Sequence, residues 1–145
     1  MPGFGPGMTA LLKGPAMPHF VLEYTDNIKD QADIRGLLQK VNRVLIDQDG
    51  VFPIGGIRAR AVELHDYVMA DDQEDYAFAH ATLKIGAGRS EAVKTKALGE
   101  LFEMMKAHFA PLFASRYFAL SMEFHEFDEG GTYKHNNVHA RFKKA

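Results

Sequence analysis

Three short strings carry the residue types most able to do chemistry: Met17-Pro18, the run Gly55-Gly56-Ile57-Arg58, and the run Gly86-Ala87-Gly88-Arg89-Ser90. Methionine aminopeptidase removes Met before a small side chain, so a chain begun at Met17 matures to a terminal proline. A terminal proline is a secondary amine with a free lone pair. An internal proline is a tertiary amide with no basicity. Pro18 is thus a base or an inert turn-former, depending on where the chain starts. Arg58 follows a tight glycine turn, where the bare backbone leaves room for a ligand. Arg89 is expected in the first turn of a helix, whose free N–H groups and dipole already favour anions. A cation there works against the dipole unless an anionic ligand sits beside it. Taken singly, each Arg is more often an ordinary surface charge near a loop. The Gly86–Ser90 run is not a Walker A string and lacks the full dinucleotide pattern.

The elements that must position these residues come in one order, stated twice. Residues 19–24 alternate as a strand, with Phe20, Leu22 and Tyr24 against Val21 and Glu23. Thr25, Asp26 and Asn27 offer capping side chains for a helix bearing Leu37, Leu38, Val41, Val44 and Leu45, which ends near Asp47. A second strand is predicted over 57–64 and a third over 76–85. Ser90 then caps a helix whose apolar face is Val93, Ala97, Leu98, Leu101, Phe102 and Met105, and the last strand spans 117–127. This is an α/β (α+β) pattern: a duplicated β-α-β unit making one four-stranded sheet with both helices on one face. Phe20, Leu22, Phe78, Phe118 and Leu120 exceed what one sheet face buries, which predicts an oligomer with sheet faces packed together. The polar tail from Gly130, basic at Arg141, Lys143 and Lys144, is expected to reach a neighbouring subunit.

Composition bounds the function. The 145 residues fit one domain, and a hydrophobic fraction of 46% supports a real core. A net charge of -2 with interspersed signs argues against a nucleic-acid or anionic-membrane partner. The absence of cysteine excludes disulfides, thiolate catalysis and Cys-based zinc sites, and fits a cytoplasmic location. No apolar run approaches the ~20 residues of a membrane span. His135 and His139 stand four apart but lack the Glu of a zinc-peptidase helix, so no metal site is expected. Glu123, His125 and Glu126 read as the solvent or interface side of the last strand. Glu91, Lys94 and Lys96 read as a solvated helix face, and Phe102, Met104, Met105 and Phe109 as core. Residues 1–16 hold four Gly, three Pro and one charge without periodicity. Residues 1–17 are therefore expected to be a vector-derived or misassigned leader before a single domain over 18–145.

Four strings in order, PHFVLEYTDNI at 18–28, KVNRVLIDQDGVFPIGGIRARA at 40–61, DYAFAHATLKIGAGRS at 75–90 and KHNNVHARF at 134–142, resemble the 5-carboxymethyl-2-hydroxymuconate isomerases of the tautomerase superfamily. The resemblance covers nearly everything outside the leader. It implies a trimer of duplicated β-α-β subunits in the homoprotocatechuate degradation route. It also implies a cofactor-independent 1,3-allylic proton shift, with N-terminal Pro18 as acid/base and a di- or tricarboxylate substrate. Arg58 and Arg89 would bind the substrate carboxylates, polarise the ketone and lower the basicity of Pro18, with His19 beside it as a tuning or merely packing neighbour. No metal and no organic cofactor is implied. Two other readings remain open. One is a tautomerase of another enol acid such as phenylpyruvate. The other, which kinship to macrophage migration inhibitory factor permits, is a non-catalytic trimeric binding module if Pro18 stays internal.

Overall fold

A computed structural model describes residues 17–143, so the leader expected over 1–17 lies outside it except for Met17, as do Lys144 and Ala145. Within it, strands β1 (His19–Thr25), β2 (Arg58–Leu64), β3 (Ala77–Gly86) and β4 (Phe118–Phe127) form one sheet in the order β2-β1-β3-β4. β1 pairs with β2 and β3 with β4 in parallel, while β1 and β3 meet antiparallel. The two β-α-β units are therefore joined along their first strands, and the duplicated architecture is as expected.

Helices α1 (Ile34–Ile46) and α2 (Glu91–His108) are the two crossovers, and a short α3 (Ala110–Ser115), with Pro111 in its first turn, follows α2. α1 buries Leu37, Val41 and Leu45, and α2 buries Ala97, Leu101 and Met105, against Phe20 and Leu22 of β1 and the alternate positions of β3. Those β3 positions are Ala77, Ala79, Ala81, Leu83 and Ile85, all essentially inaccessible. Three alanines in a central strand leave the space that large helix side chains fill. Met105 and Phe109 are fully buried, with Phe102 and Met104 packed beside them, in line with the core reading. No helix is long and apolar enough to cross a membrane among the described residues.

Three local expectations are corrected. Asp26–Ile28 form a 3-10 turn, and α1 is capped instead by Asp33, whose side chain accepts from Gly36 N–H at 3.2 Å. Thr25 caps nothing: it is buried, and its hydroxyl exchanges hydrogen bonds with the Phe78 backbone across β1 and β3. The apolar surplus assigned to the second sheet face is mostly on the first. Phe20 and Leu22 are fully buried under the helices, Phe118 and Leu120 pack on that same core, and only Phe78 points the other way. Finally, Lys94 is not solvated. It bridges Glu91 at 2.9 Å and Glu126 at 3.2 Å with only 13% of its side chain exposed.

Ser90 caps α2 as read from the sequence, accepting from Val93 N–H at 3.2 Å. Ser90→Ala is expected to destabilise the fold by ~1 kcal/mol, read as a lower urea midpoint at unchanged slope.

Candidate active site

Pro18 extends β1 by one residue and is buried, and its carbonyl accepts from the Arg58 N–H at 3.1 Å. The antiparallel register places His19 opposite Lys84, so Pro18 reaches the level where β3 ends at Gly86. Arg89 lies just beyond that end. Its Nη1 donates to the Gly86 carbonyl at 2.9 Å and its Nη2 to the Val51 carbonyl at 3.3 Å. The guanidinium also sits 4.7 Å from the centroid of the buried Phe52 ring. Pro18, Arg58 and Arg89 thus gather at one end of the sheet, although they come from three separate stretches of chain.

Arg89 differs from expectation in one respect. α2 starts at Glu91 with Ser90 as its cap, so Arg89 precedes the helix and does not oppose its dipole from within. Its charge instead satisfies two backbone carbonyls, which fixes its direction. The glycine turn before Arg58 also serves a different end. A Cβ on Gly55 would stand 3.0 Å from the His139 backbone, and one on Gly56 would stand 2.8 Å from Met17 Cγ. These glycines permit close approach by two other segments. Met17 fills the space beside Gly56, its sulfur 2.7 Å from Arg58 Nη1, which also donates to the Gly56 carbonyl at 3.0 Å.

The tail packs beside the Gly55-Gly56 turn and Met17, a contact that the sequence reading missed. The turn His139–Phe142 packs on Ile54–Gly56 of its own chain, where an arm to another subunit was expected. Asn136 Nδ2 lies 3.9 Å from Met17 sulfur, and its side-chain oxygen accepts from Val138 and His139 N–H. The signal was present: 134–142 is one of the four strings that carry the resemblance.

Charge separates the two ends of the sheet. Around Pro18, Arg58, Arg60 and Lys84 are cationic. At the far end, a cleft of about 260 Å³ is lined by Asn27, His65, Tyr67, Asp72, Glu74 and Asp75, the wrong sign for a carboxylate. The histidines feel this difference. Burial, then Arg60, Arg58 and Lys84, hold His19 below the ordinary value of 6.5. A hydrogen bond donated to the Asp26 carboxylate, reinforced by the charges of Glu63, Asp26 and Asp66, raises His65 above 6.5 against a smaller burial effect. The two therefore act oppositely on stability. The contribution of His19 is full above 6.5 and is lost as pH falls from there toward its folded value. That of His65 is full below 6.5 and is lost as pH rises through its folded value. Proton NMR titration is expected to place the two midpoints on opposite sides of 6.5, and coincident midpoints would contradict this field.

The decisive comparison is at the level of family: the family described as 5-carboxymethyl-2-hydroxymuconate isomerase matches residues 18–142. The chain belongs to that family. The 5-carboxymethyl-2-hydroxymuconate Delta-isomerase of Escherichia coli is 50% identical over 127 residues, which are 88% of this chain and 100% of that relative. A 5-carboxymethyl-2-hydroxymuconate isomerase crystal structure from Deinococcus radiodurans R1 is 52% identical and superposes with a TM-score of 0.85, over 89% of this chain and 96% of that one. A further 5-carboxymethyl-2-hydroxymuconate delta-isomerase structure is 31% identical with a TM-score of 0.83, over 92% and 98% of the two chains. The family match begins at the residue whose chemistry depends on being first.

Proposed function

We propose that this chain, once it begins at Pro18, isomerises 5-carboxymethyl-2-hydroxymuconate by a 1,3-allylic proton shift. The observation that carries the reading is the meeting of Pro18, Arg58 and Arg89 at one sheet end, in a chain matched from Pro18 onward by an isomerase family. The Pro18 nitrogen takes a proton on the dienol side of the substrate. The electron pair spreads into a dienolate, and the same nitrogen returns the proton further along the chain. The product is the conjugated oxo acid, and no reagent is consumed. Arg58 and Arg89 hold carboxylates through charge-assisted hydrogen bonds and stabilise the negative charge that develops on the substrate. Arg89 is already aimed by its two carbonyls and Phe52, so little freedom is lost on binding. Loss of Met17 frees an Arg58 donor that its sulfur otherwise occupies, and vacates the space beside Gly56.

The assembly in this reading is a cytoplasmic homotrimer. The sheet face away from the helices carries Arg60, His19, His80, Glu123 and His125, so the subunits meet around a polar and wetted surface. Light scattering is expected to give three times the chain mass, and a monomer mass would contradict the assembly.

One observation favours a second reading for the chain that keeps residues 1–17. There Pro18 is an amide and Met17 occupies the Arg58 donor, which leaves a binding module without turnover. Ultraviolet-monitored ketonisation of 2-hydroxymuconate, its 5-carboxymethyl homologue and phenylpyruvate tests the proposal. The 5-carboxymethyl acid is expected to give the highest kcat/KM. A preference for phenylpyruvate would replace the substrate assignment, and silence on all three would favour the binding module.

A further inference from the structure

Among the described residues two polar side chains are buried, Thr25 and Gln48. Thr25 joins β1 to β3. Gln48 is 3% exposed, and a glutamine is costly to bury, both in side-chain freedom and in lost water. It lies just past the end of α1, and its amide is engaged through both the nitrogen and the oxygen. Nε2 donates to the Val44 carbonyl at 2.9 Å and to Glu100 Oε1 of α2 at 2.8 Å. Oε1 accepts from Lys96 Nζ of α2 at 3.2 Å, and Lys96 also pairs with Glu100 at 3.1 Å. Donation from Gln48, then from Lys96, holds the Glu100 carboxyl below its ordinary value of 4.5, so it is a full acceptor near neutral pH. These groups lie in the helix layer, away from the sheet face assigned to the subunit contacts.

The backbone carries this anchor to the site. Gln48-Asp49-Gly50-Val51 is a tight turn, closed by the Val51 N–H donating to the Gln48 carbonyl at 3.0 Å. Both central residues have positive φ, 54° at Asp49 and 79° at Gly50, a pattern that only a narrow class of turns adopts. The last residue of the turn and the one after it are those that brace Arg89. Val51 does so through its carbonyl and Phe52 through its ring. Arg89 itself stands immediately before Ser90, the cap of the helix that supplies Lys96 and Glu100. One side chain thus ties the loop in front of the guanidinium to the helix behind it. An apolar residue would fill the same space, but hydrophobic contact has no direction and would not fix the loop against α2.

We propose that Gln48 is a positioning residue for the isomerisation, holding Val51 and Phe52 where they aim Arg89 at the developing charge. This deepens the isomerase reading and rests on it for the role of Arg89. Gln48 acts through the turn and through α2, with no contact to the substrate. A charge-stabilising donor contributes most when it is already in place, so a small displacement of its supports is costly. Loss of Gln48 therefore carries the signature expected for loss of Arg89, in kcat more than in KM, at smaller size.

Two readouts test this in protein whose mass shows a start at Pro18. Gln48→Met keeps the length of the side chain and removes its amide. It is expected to lower kcat about tenfold with KM within about twofold, and to add nothing in an Arg89→Ala background. A merely structural role would lower activity alike in both backgrounds. Glu100 is 50% exposed, so Glu100→Ala cuts the same link from the solvent side without opening the core. It is expected to lower kcat about threefold, and Glu100→Gln, which keeps an acceptor, to recover most of that loss. The second readout needs no turnover. The Arg89 guanidinium NMR signals, assigned by their absence in Arg89→Ala, are expected to exchange with solvent about tenfold faster in Gln48→Met. Unchanged exchange, unchanged kcat, or equal loss with and without Arg89 would overturn the proposal. Faster exchange in a protein inactive on every acid would remove the reaction while leaving Gln48 as the anchor of Arg89.

Discussion

Replacing Arg58 or Arg89 by alanine is expected to lower kcat/KM for 5-carboxymethyl-2-hydroxymuconate by about 10²–10³-fold. The two should fail differently. Arg89 is braced by the Gly86 and Val51 carbonyls and by Phe52, so in the proposed reaction it would meet the developing charge without rearranging. Its loss is expected mainly in kcat. Arg58 is half-buried, and among the described residues its Nη1 meets, beyond the Gly56 carbonyl, a methionine sulfur, a weak acceptor that a carboxylate readily displaces. Its loss is expected in KM as well as kcat. Lysine at either position should recover little, because a single ammonium does not reproduce a bidentate contact. Wild-type kinetics in either alanine variant would remove that residue from the site.

The second large effect belongs to Pro18. In protein whose mass shows a start at residue 18, Pro18→Ala is expected to lower kcat by about 10²-fold, in the range of general acid–base catalysis. The alanine keeps a terminal amine but loses the ring that holds the nitrogen in one direction. Pro18 is buried with its carbonyl tied to Arg58, so the ring leaves its lone pair little freedom to misalign. An unchanged far-ultraviolet circular dichroism spectrum assigns the loss to chemistry. Full activity in the variant would show that an ordinary amine suffices.

The parts of this molecule written in short-range pattern were legible before the structure. Alternation marked all four strands to within a residue or two, and the apolar spacing of Leu37, Val41 and Leu45 and of Ala97, Leu101 and Met105 marked both crossover helices. What failed depended on choices between equivalent local signals. Thr25, Asp26 and Asn27 are as good capping residues as Asp33, yet Asp33 takes the role by adopting φ 45°. Thr25 was claimed by a long-range partner, the Phe78 backbone. Which face Phe118 and Leu120 occupy follows from pairing with β3, and pairing is not written in β4 itself.

The same division holds at the site. Pro18, Arg58 and Arg89 were picked out by type and by the motifs around them. Their meeting at one sheet end follows from the order β2-β1-β3, which brings the start of β2 and the end of β3 to either side of Pro18. The partners of Arg89 were hidden because Val51 is 38 residues away.

Whether a free Pro18 nitrogen is the acid/base is decided by comparing two forms of the protein. Isomerisation of 5-carboxymethyl-2-hydroxymuconate is followed in two preparations, the full chain and a protein whose mass confirms a start at Pro18. Turnover is expected in the second and a rate at least about a hundredfold lower in the first, where the nitrogen is an amide. Equal rates in both would contradict it and remove Pro18 as the base.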